Sequence, residues 1–423
     1  MSRPPIRILI VTSRFPVLSE TFVLEQARSL REAGAMVEVL GLFAGDPDML
    51  RKIAPEFTVH AVRPTTVSPA GKTGALLRFL CHGLCSSHGR RALATAAMAA
   101  YRRLPGTVLD IALLFNQQYR RESDLILAHF GQVGVAAEYL RSAGLMSGRL
   151  GTVFHGFDMS VDSIVIGYLP HYIRLFSSGD VFMPVSQFFA RKLESWGCDP
   201  QKIHVCRMGV DPREFRYSER APATDVLKVL TVGRLTEKKG IEYAIRAMAL
   251  APKSVQLTIV GSGILDGALR ILADELDVAS RVVFRGAQSH AEVNALLRSS
   301  DVFLLPSITA RNGDMEGIPV ALMEAMASGV VTISTKHSGI PELIKDMQSG
   351  FLVEERDHIA LADVIRRIAS GMVDLATIKQ NARRTVERHF NPATEAKRLL
   401  THLETAIGSV QPTPDNDRFR SST

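Results

Sequence analysis

The chain has 423 residues, 46% hydrophobic and 22% charged, enough apolar material for two globular domains with their own cores and too much for a disordered or fibrous protein. No apolar run approaches the eighteen or more residues of a membrane span, and "MSRPPIRILIVTS" enters a strand without a signal-peptide apolar region, so a cytoplasmic location is expected. The net charge of +7 suits an anionic partner, and the four cysteines, Cys81, Cys85, Cys198 and Cys206, form neither a zinc-like double pair nor a disulfide framework and read as reduced thiols.

In chain order, "IRILIVTS", "MVEVLGLF", "SDLILAHF", "RLGTVFHG", "DVFMPVS" and "KIHVCRMG" are predicted strands. Helices such as 20–33 and 187–196 lie between them, the alternation of a doubly wound α/β domain. Between the second and third strands, residues 71–103 set Lys72, Arg78, Arg90, Arg91, Arg102 and Arg103 among leucines, alanines and Phe79. That is either a solvated helix face or a basic amphipathic surface for an anionic membrane. "VFHGFDMS" places His155 at a strand end beside Gly156, with Asp158 nearby, as a structural histidine or one facing a cleft. The polar, proline-bearing stretch "DPREFRYSERAPATD" then reads as a linker.

A second set of strands follows: "LKVLTVGRL", "VQLTIVGSG", "RVVFRGA", "DVFLLPS", "VVTISTK" and "GFLVEE". Two such domains place the C-terminal ends of their sheets on either side of a cleft, so site residues belong on loops after strands. "VGRLTEKKG" offers Arg234 as a planar fork and Lys239 as a point charge for a diphosphate, against the plainer reading of a solvated cationic loop. "VGSGILDGALR" has Gly261, Gly263 and Gly267 in a pattern one residue longer than the dinucleotide fingerprint, and "ASRVVFRG" lacks the acidic ribose partner expected about twenty residues on.

In "RNGDMEGIPVALMEAMASG", Pro319 suits the first position of a helix over roughly 319–328 that Gly329 stops. Its side chains leave no polar face, so Glu324, near the negative end of the helix dipole, needs a hydrogen-bond donor such as a ligand hydroxyl unless it lies on a solvent strip. Glu316 precedes the helix beside the amides of Gly317, Ile318 and Val320, which lack helical partners. It either favours the helix start electrostatically or joins a pocket for a polyhydroxylated, phosphorylated ligand. A last helix, 392–407, leads into "GSVQPTPDNDRFRSST", which reads as a disordered tail.

Glu316 and Glu324 with seven residues between them, inside "EGIPVALMEAMASGVVTIST" and preceded by "VGRLTEKKG", "VGSG" and "DVFLLPS", resemble retaining glycosyltransferase family 4, of GT-B fold, over essentially the whole chain. "RFPVLSETFV", "LAHFG" and "FHGFD" resemble its branch that builds bacterial exopolysaccharides such as colanic acid and amylovoran. The resemblance implies two Rossmann-like doubly wound domains facing across a cleft, with the C-terminal helix returning to the first domain. It divides the chain into an acceptor-side domain, 1–211, completed by about 386–408; a linker, 212–225; a nucleotide-sugar domain, 226–385; and the tail, 409–423.

By the same resemblance, Arg234 and Lys239 neutralise the donor diphosphate, and Glu324 accepts hydrogen bonds from the nucleotide ribose. Glu316 touches donor-sugar hydroxyls, with the amides of Gly317, Ile318 and Val320 facing sugar or phosphate and Gly261 and Gly263 on the nucleotide side. His155 lies near the reacting sugar. The donor implied is a UDP- or GDP-sugar and the acceptor a glycan or a polyprenyl-diphosphate-linked glycan, with no metal, further cofactor or nucleic acid expected; the basic segment 71–103, in its membrane reading, would add peripheral contact with the inner face of the membrane. One departure is that Ser13, Arg14 and Phe15 stand where many relatives have a glycine pair. Two rivals fit less: an NAD(P)-type oxidoreductase leaves both glutamates and the Arg234–Lys239 pair unused, and an inactive binding scaffold would have lost charged groups that are all present.

Overall fold

A computed structural model describes residues 4–17, 20–53, 55–63, 68–218 and 225–408. The predicted tail and residues 219–224 of the predicted linker lie outside them. Six strands build the first sheet: β1 (Arg7–Phe15), β2 (Met36–Ala44), β3 (Thr58–Arg63), β4 (Arg121–His129), β5 (Met146–Phe154) and β6 (Val181–Pro184). The second sheet has β7 (Leu227–Val232), β8 (Val255–Val260), β9 (Val282–Phe284), β10 (Val302–Leu305), β11 (Val331–Thr335) and β12 (Phe351–Val353). Their orders are β3-β2-β1-β4-β5-β6 and β12-β11-β10-β7-β8-β9, and every neighbouring pair in both ladders is parallel. The two halves therefore share one topology. In each, the first strand lies at the centre and the strand order reverses beside it, between β1 and β4 and between β7 and β10, which opens a crevice at the C-terminal strand ends.

Parallel strands covered on both faces must be apolar throughout. Ile8, Leu9, Ile10 and Val11 in β1, and Val302, Phe303, Leu304 and Leu305 in β10, are accordingly buried without alternation. The last helix, Pro392–Gly408, packs against the helix Thr21–Glu32 and adds Ala396, Leu399 and Leu400 to the first core. The chain thus crosses between the halves twice.

The structure differs from the sequence reading in two elements. "KIHVCRMG" is not a strand: a single bridge joins Ile203 to Phe182, and the amides of His204 and Cys206 donate to Phe182 and Pro184. The segment trails along the outer edge of β6, which is only four residues long and too short to carry a further ladder. Conversely, the sheet's other edge is an unpredicted strand, β3, whose His60 and Arg63 mask its pattern because they are spent on Glu38 and Asp110.

The halves touch directly. Met315 N–H donates to Ser160 Oγ at 3.0 Å, and Asp162 N–H to the Asn312 carbonyl at 2.9 Å. Glu342 reaches across to accept from Phe188 N–H, at the start of the helix Gln187–Ser195, at 3.1 Å and from Arg207 at 3.0 Å.

Candidate active site

On the first-half wall, β4 and β5 end side by side. Asp158, fully buried, ties the loops that follow them: Oδ1 accepts the N–H groups of His155 and Gly156, both at 3.0 Å, and Oδ2 that of Gly131 at 2.8 Å. Burial raises its pKa and the N–H groups pull it part of the way back, to a net value of about 6, which leaves a carboxylate at neutral pH. Gly156 makes the turn with φ +128°, a conformation that a side chain would strain.

His155 sits between Phe22 and Phe130, each with its ring centre 4.6 Å away. Its Nε2 lies 3.1 Å from Nδ1 of His129, so one of the two nitrogens carries the shared proton. His129 is fully buried, which drives its pKa down to about 3, and burial together with His129 holds His155 far below the ordinary histidine range. The pair is neutral at physiological pH. With Nε2 engaged, Nδ1 of His155 is the nitrogen left for a ligand in the cleft. Sequence reasoning missed His129, although it lies in "LAHFG" at a strand end like His155 itself.

On the second-half wall, the loop after β7 delivers three cations. Arg234 is exposed. Lys238, nearly buried, pairs with Asp314 at 3.0 Å. Lys239 Nζ lies 3.0 Å from Glu316 Oε1, an ion contact without good hydrogen-bond alignment. Burial pushes the Glu316 carboxyl upward, but Lys239 and then Lys238 outweigh it and hold the pKa below the ordinary carboxylate range. Two groups assigned separately to diphosphate and sugar are thus each other's partners. A loosely aligned pair of this kind is easily exchanged for a ligand carrying both a phosphate and hydroxyls.

Behind Glu316 is a support that the sequence reading did not single out. Its N–H donates to Nε2 of the buried His337 at 3.1 Å, which places the histidine proton on Nδ1, 2.6 Å from Glu355 Oε1. Gly317 presses against the first half, where a Cβ would meet the His155 carbonyl at 2.7 Å. Ile318 is buried in the second-half core, and Pro319 stands at the N-cap of a helix that begins at Val320, one residue later than expected.

Glu324 is half-buried, and its neighbour is Nε2 of His290 at 3.8 Å, too far for a good hydrogen bond. The Glu324 carboxylate raises the pKa of His290 against the opposing effect of burial. Gly261 and Gly263 meet backbone: added Cβ atoms would lie 1.9 Å from the Gly233 carbonyl oxygen and 2.4 Å from that of Leu235. Their absent side chains let the loop after β8 pack on the loop that carries Arg234, which is a packing reason for this glycine pattern.

One cleft of about 500 Å³ collects His155, Arg234, Glu316 and Gly317 together with Lys238, Met315, Ser13, Glu20, Phe22, Phe130, Gln132, Val133 and Phe157. Lys239, Glu324, Ile318, Val320, Gly261 and Gly263 lie outside this lining. Lys238, which the sequence reading passed over for its neighbour, is the lysine on the wall. Among the described residues no three His, Cys, Asp or Glu side chains gather as a metal site would require. The cleft's cations all come from the second half, and its aromatic rings from the first.

Sequence profiles match on both sides of this cleft: "Glycosyltransferase Family 4" over residues 19–214 and "Glycosyl transferases group 1" over 213–385. The chain is 37% identical over 397 residues to the putative colanic acid biosynthesis glycosyltransferase WcaL of Escherichia coli K12, covering 92% of this chain and 98% of WcaL. It is 35% identical over 405 residues to the amylovoran biosynthesis glycosyltransferase AmsK of Erwinia amylovora, covering 94% and 99%. Among solved structures, Anabaena Alr3699/HepE in complex with UDP superposes with a TM-score of 0.71 at 19% identity, over 95% of this chain and all of that one. Its complex with UDP-glucose gives a TM-score of 0.70 at 18% identity over the same share of both chains.

Proposed function

The chain belongs to glycosyltransferase family 4, and we propose that it transfers a sugar from a UDP- or GDP-sugar to a glycan or polyprenyl-diphosphate-linked acceptor in exopolysaccharide biosynthesis, with retention at the anomeric carbon. The observation that carries this reading is the division of labour in the cleft: Arg234 and Lys238 on one wall, with Lys239 behind them on Glu316, face His155 on the other. As the anomeric C–O bond breaks, negative charge grows on the departing diphosphate and positive charge on the sugar. Fixed cations where the diphosphate leaves stabilise that charge separation more than they stabilise the bound donor. This cation set takes the neutralising role that a metal would otherwise fill, and no metal is invoked.

In this reading Glu316 turns from Lys239 to a donor-sugar hydroxyl as the lysine meets phosphate, and Glu324 accepts the ribose hydroxyls, with His290 beside it. His155 donates or accepts through Nδ1 at the reacting sugar. Contact between the halves excludes water that would hydrolyse the donor. The exopolysaccharide assignment draws on WcaL and AmsK, and the Anabaena complexes make UDP-sugars the first donors to try.

We place the enzyme in the cytoplasm, peripheral on the inner face of the membrane. No helix among the described residues is long and apolar enough to cross one. Support for surface contact is the helix Pro69–Gly83, which buries Ala75 and Phe79 yet leaves Leu77 and Leu80 exposed, with Leu84 just beyond its end. From Phe57 to Leu109 the sequence has no Asp or Glu, while Lys72, Arg78, Arg90 and Arg91 are exposed in the same segment.

The test is a thermal-shift panel of nucleoside diphosphates, since a ligand that binds only the folded state raises its stability. It is followed by turnover with the matching sugars and nuclear magnetic resonance of the new linkage. UDP or GDP should stabilise the wild type, and Arg234→Ala should lower turnover by roughly 10²-fold or more. An inverted anomer would overturn the retaining mechanism, and no shift with any nucleotide would overturn the donor assignment.

A further inference from the structure

Glu20 is a carboxylate in the cleft for which no partner is found among the described residues. It stands just before the helix Thr21–Glu32, yet its side chain does not cap that helix. Instead it lines the cleft on the first-half wall. Its Oε2 is buried and without a hydrogen bond, and burial raises its pKa. A carboxylate taken from water without a compensating donor is destabilising, so the position makes sense where a ligand brings the donor.

The surroundings narrow the ligand. The cations that line the cleft, Arg234 and Lys238, belong to the opposite wall, so a diphosphate is drawn there and away from Glu20. On the same first-half wall the lining includes Gln132 and the rings of Phe22, Phe130 and Phe157, the last of them 48% exposed. A carboxylate, a carboxamide and aromatic faces suit a neutral ring bearing hydroxyls, which donate to the carboxylate and lay C–H surface on the rings.

We propose that Glu20 anchors the acceptor sugar by accepting a hydrogen bond from one of its hydroxyls, with Gln132 and the neighbouring phenylalanines completing an acceptor subsite on the first-half wall. This inference rests on the transferase reading, because that reading places the donor diphosphate on the other wall. The subsite fixes the acceptor relative to the donor before transfer, so its loss should appear in acceptor parameters and spare nucleotide binding.

The experiment compares wild type, Glu20→Ala and the near-isosteric Glu20→Gln. UDP and GDP are titrated by calorimetry, and steady-state transfer is measured with lipid-linked glycan extracted from membranes of a strain lacking this enzyme. Expected is a 10- to 100-fold fall in kcat/KM for the acceptor in Glu20→Ala, the span of one charged hydrogen bond, a smaller fall in Glu20→Gln, and nucleotide affinity within twofold of wild type. An unchanged kcat/KM for the acceptor would overturn the proposal while leaving the transferase reading intact. A parallel loss of nucleotide affinity in both variants would overturn it too, by moving Glu20 to the donor side or to a structural role. Wild type that bound neither nucleotide would overturn the UDP- or GDP-sugar donor assignment on which this proposal rests, and the proposal with it.

Discussion

Replacing Lys239 with alanine leaves Glu316 as an uncompensated carboxylate in a site where its side chain is 10% exposed. At the observed 3.0 Å and an effective dielectric of about 20, the lost attraction is about 5–6 kcal/mol, of which desolvation of the lysine had already cancelled part. Removing one partner of a buried pair costs about 3–5 kcal/mol. The low end applies here, because Lys238 remains nearby, although Asp314 already engages its charge. About 3 kcal/mol corresponds to a fall in Tm of roughly 6–12 °C for a unit the size of the second half.

The pH dependence is the sharper signature. In the wild type the Glu316 pKa is depressed, so its contribution to stability is present above the unfolded value and is lost as pH falls through the folded one. Without Lys239, burial dominates and the carboxyl titrates above its unfolded value. The variant then loses stability as pH rises through that raised pKa. Thermal unfolding of wild type, Lys239→Ala and Lys239→Ala/Glu316→Gln at pH 5 and pH 8 decides the matter. The deficit of the single variant should be larger at pH 8, and the double variant should recover most of it. A deficit that is equal at both pH values, or that the second substitution does not relieve, would refute the pairing argument.

Glu324→Ala should weaken binding of the matching nucleoside diphosphate by about 1–3 kcal/mol in calorimetry, and unchanged affinity would remove Glu324 from the ribose site. His129, with its pKa lowered to about 3 by burial, stays neutral in the fold, whereas the unfolded chain protonates near pH 6.5. Its contribution is therefore lost as pH falls below that value, by roughly 2 kcal/mol at pH 5. His129→Leu should lose less stability between pH 7 and pH 5 than wild type, as read from urea midpoints. Sedimentation with vesicles should show binding to anionic lipid at low salt that fades as salt rises, and Leu80→Glu should reduce it; equal binding to neutral vesicles would count against the basic, leucine-studded face.

The alternation of strands and helices was legible in the sequence because strand and helix periodicities are local. Uninterrupted runs such as "RILIV" and "VFLLPS" report burial on both faces without reference to any other part of the chain. Arg234, Glu316 and Gly317 were legible for a related reason: each lies in a short motif on a loop after a strand, where a doubly wound sheet must bind its ligand. Edges were harder to read. β3 hides behind His60 and Arg63, and "KIHVCRMG" has strand composition but only a short neighbour to pair with.

Pairings were beyond the sequence. Lys239 meets Glu316, His129 meets His155, and His337 bridges the Glu316 amide to Glu355, all at the ends of different strands or on the loops after them. Glu20 reads as an ordinary polar residue at a helix start until the fold closes the cleft around it and leaves its Oε2 without a partner among the described residues. The sequence by itself determined which segments are buried and which loops carry charge, since those follow from composition and period within a dozen residues. Which charge answers which, and which is left for a ligand, depends on distances of about 3 Å between residues far apart in the chain, and only the convergence of strand ends at the two switch points sets them.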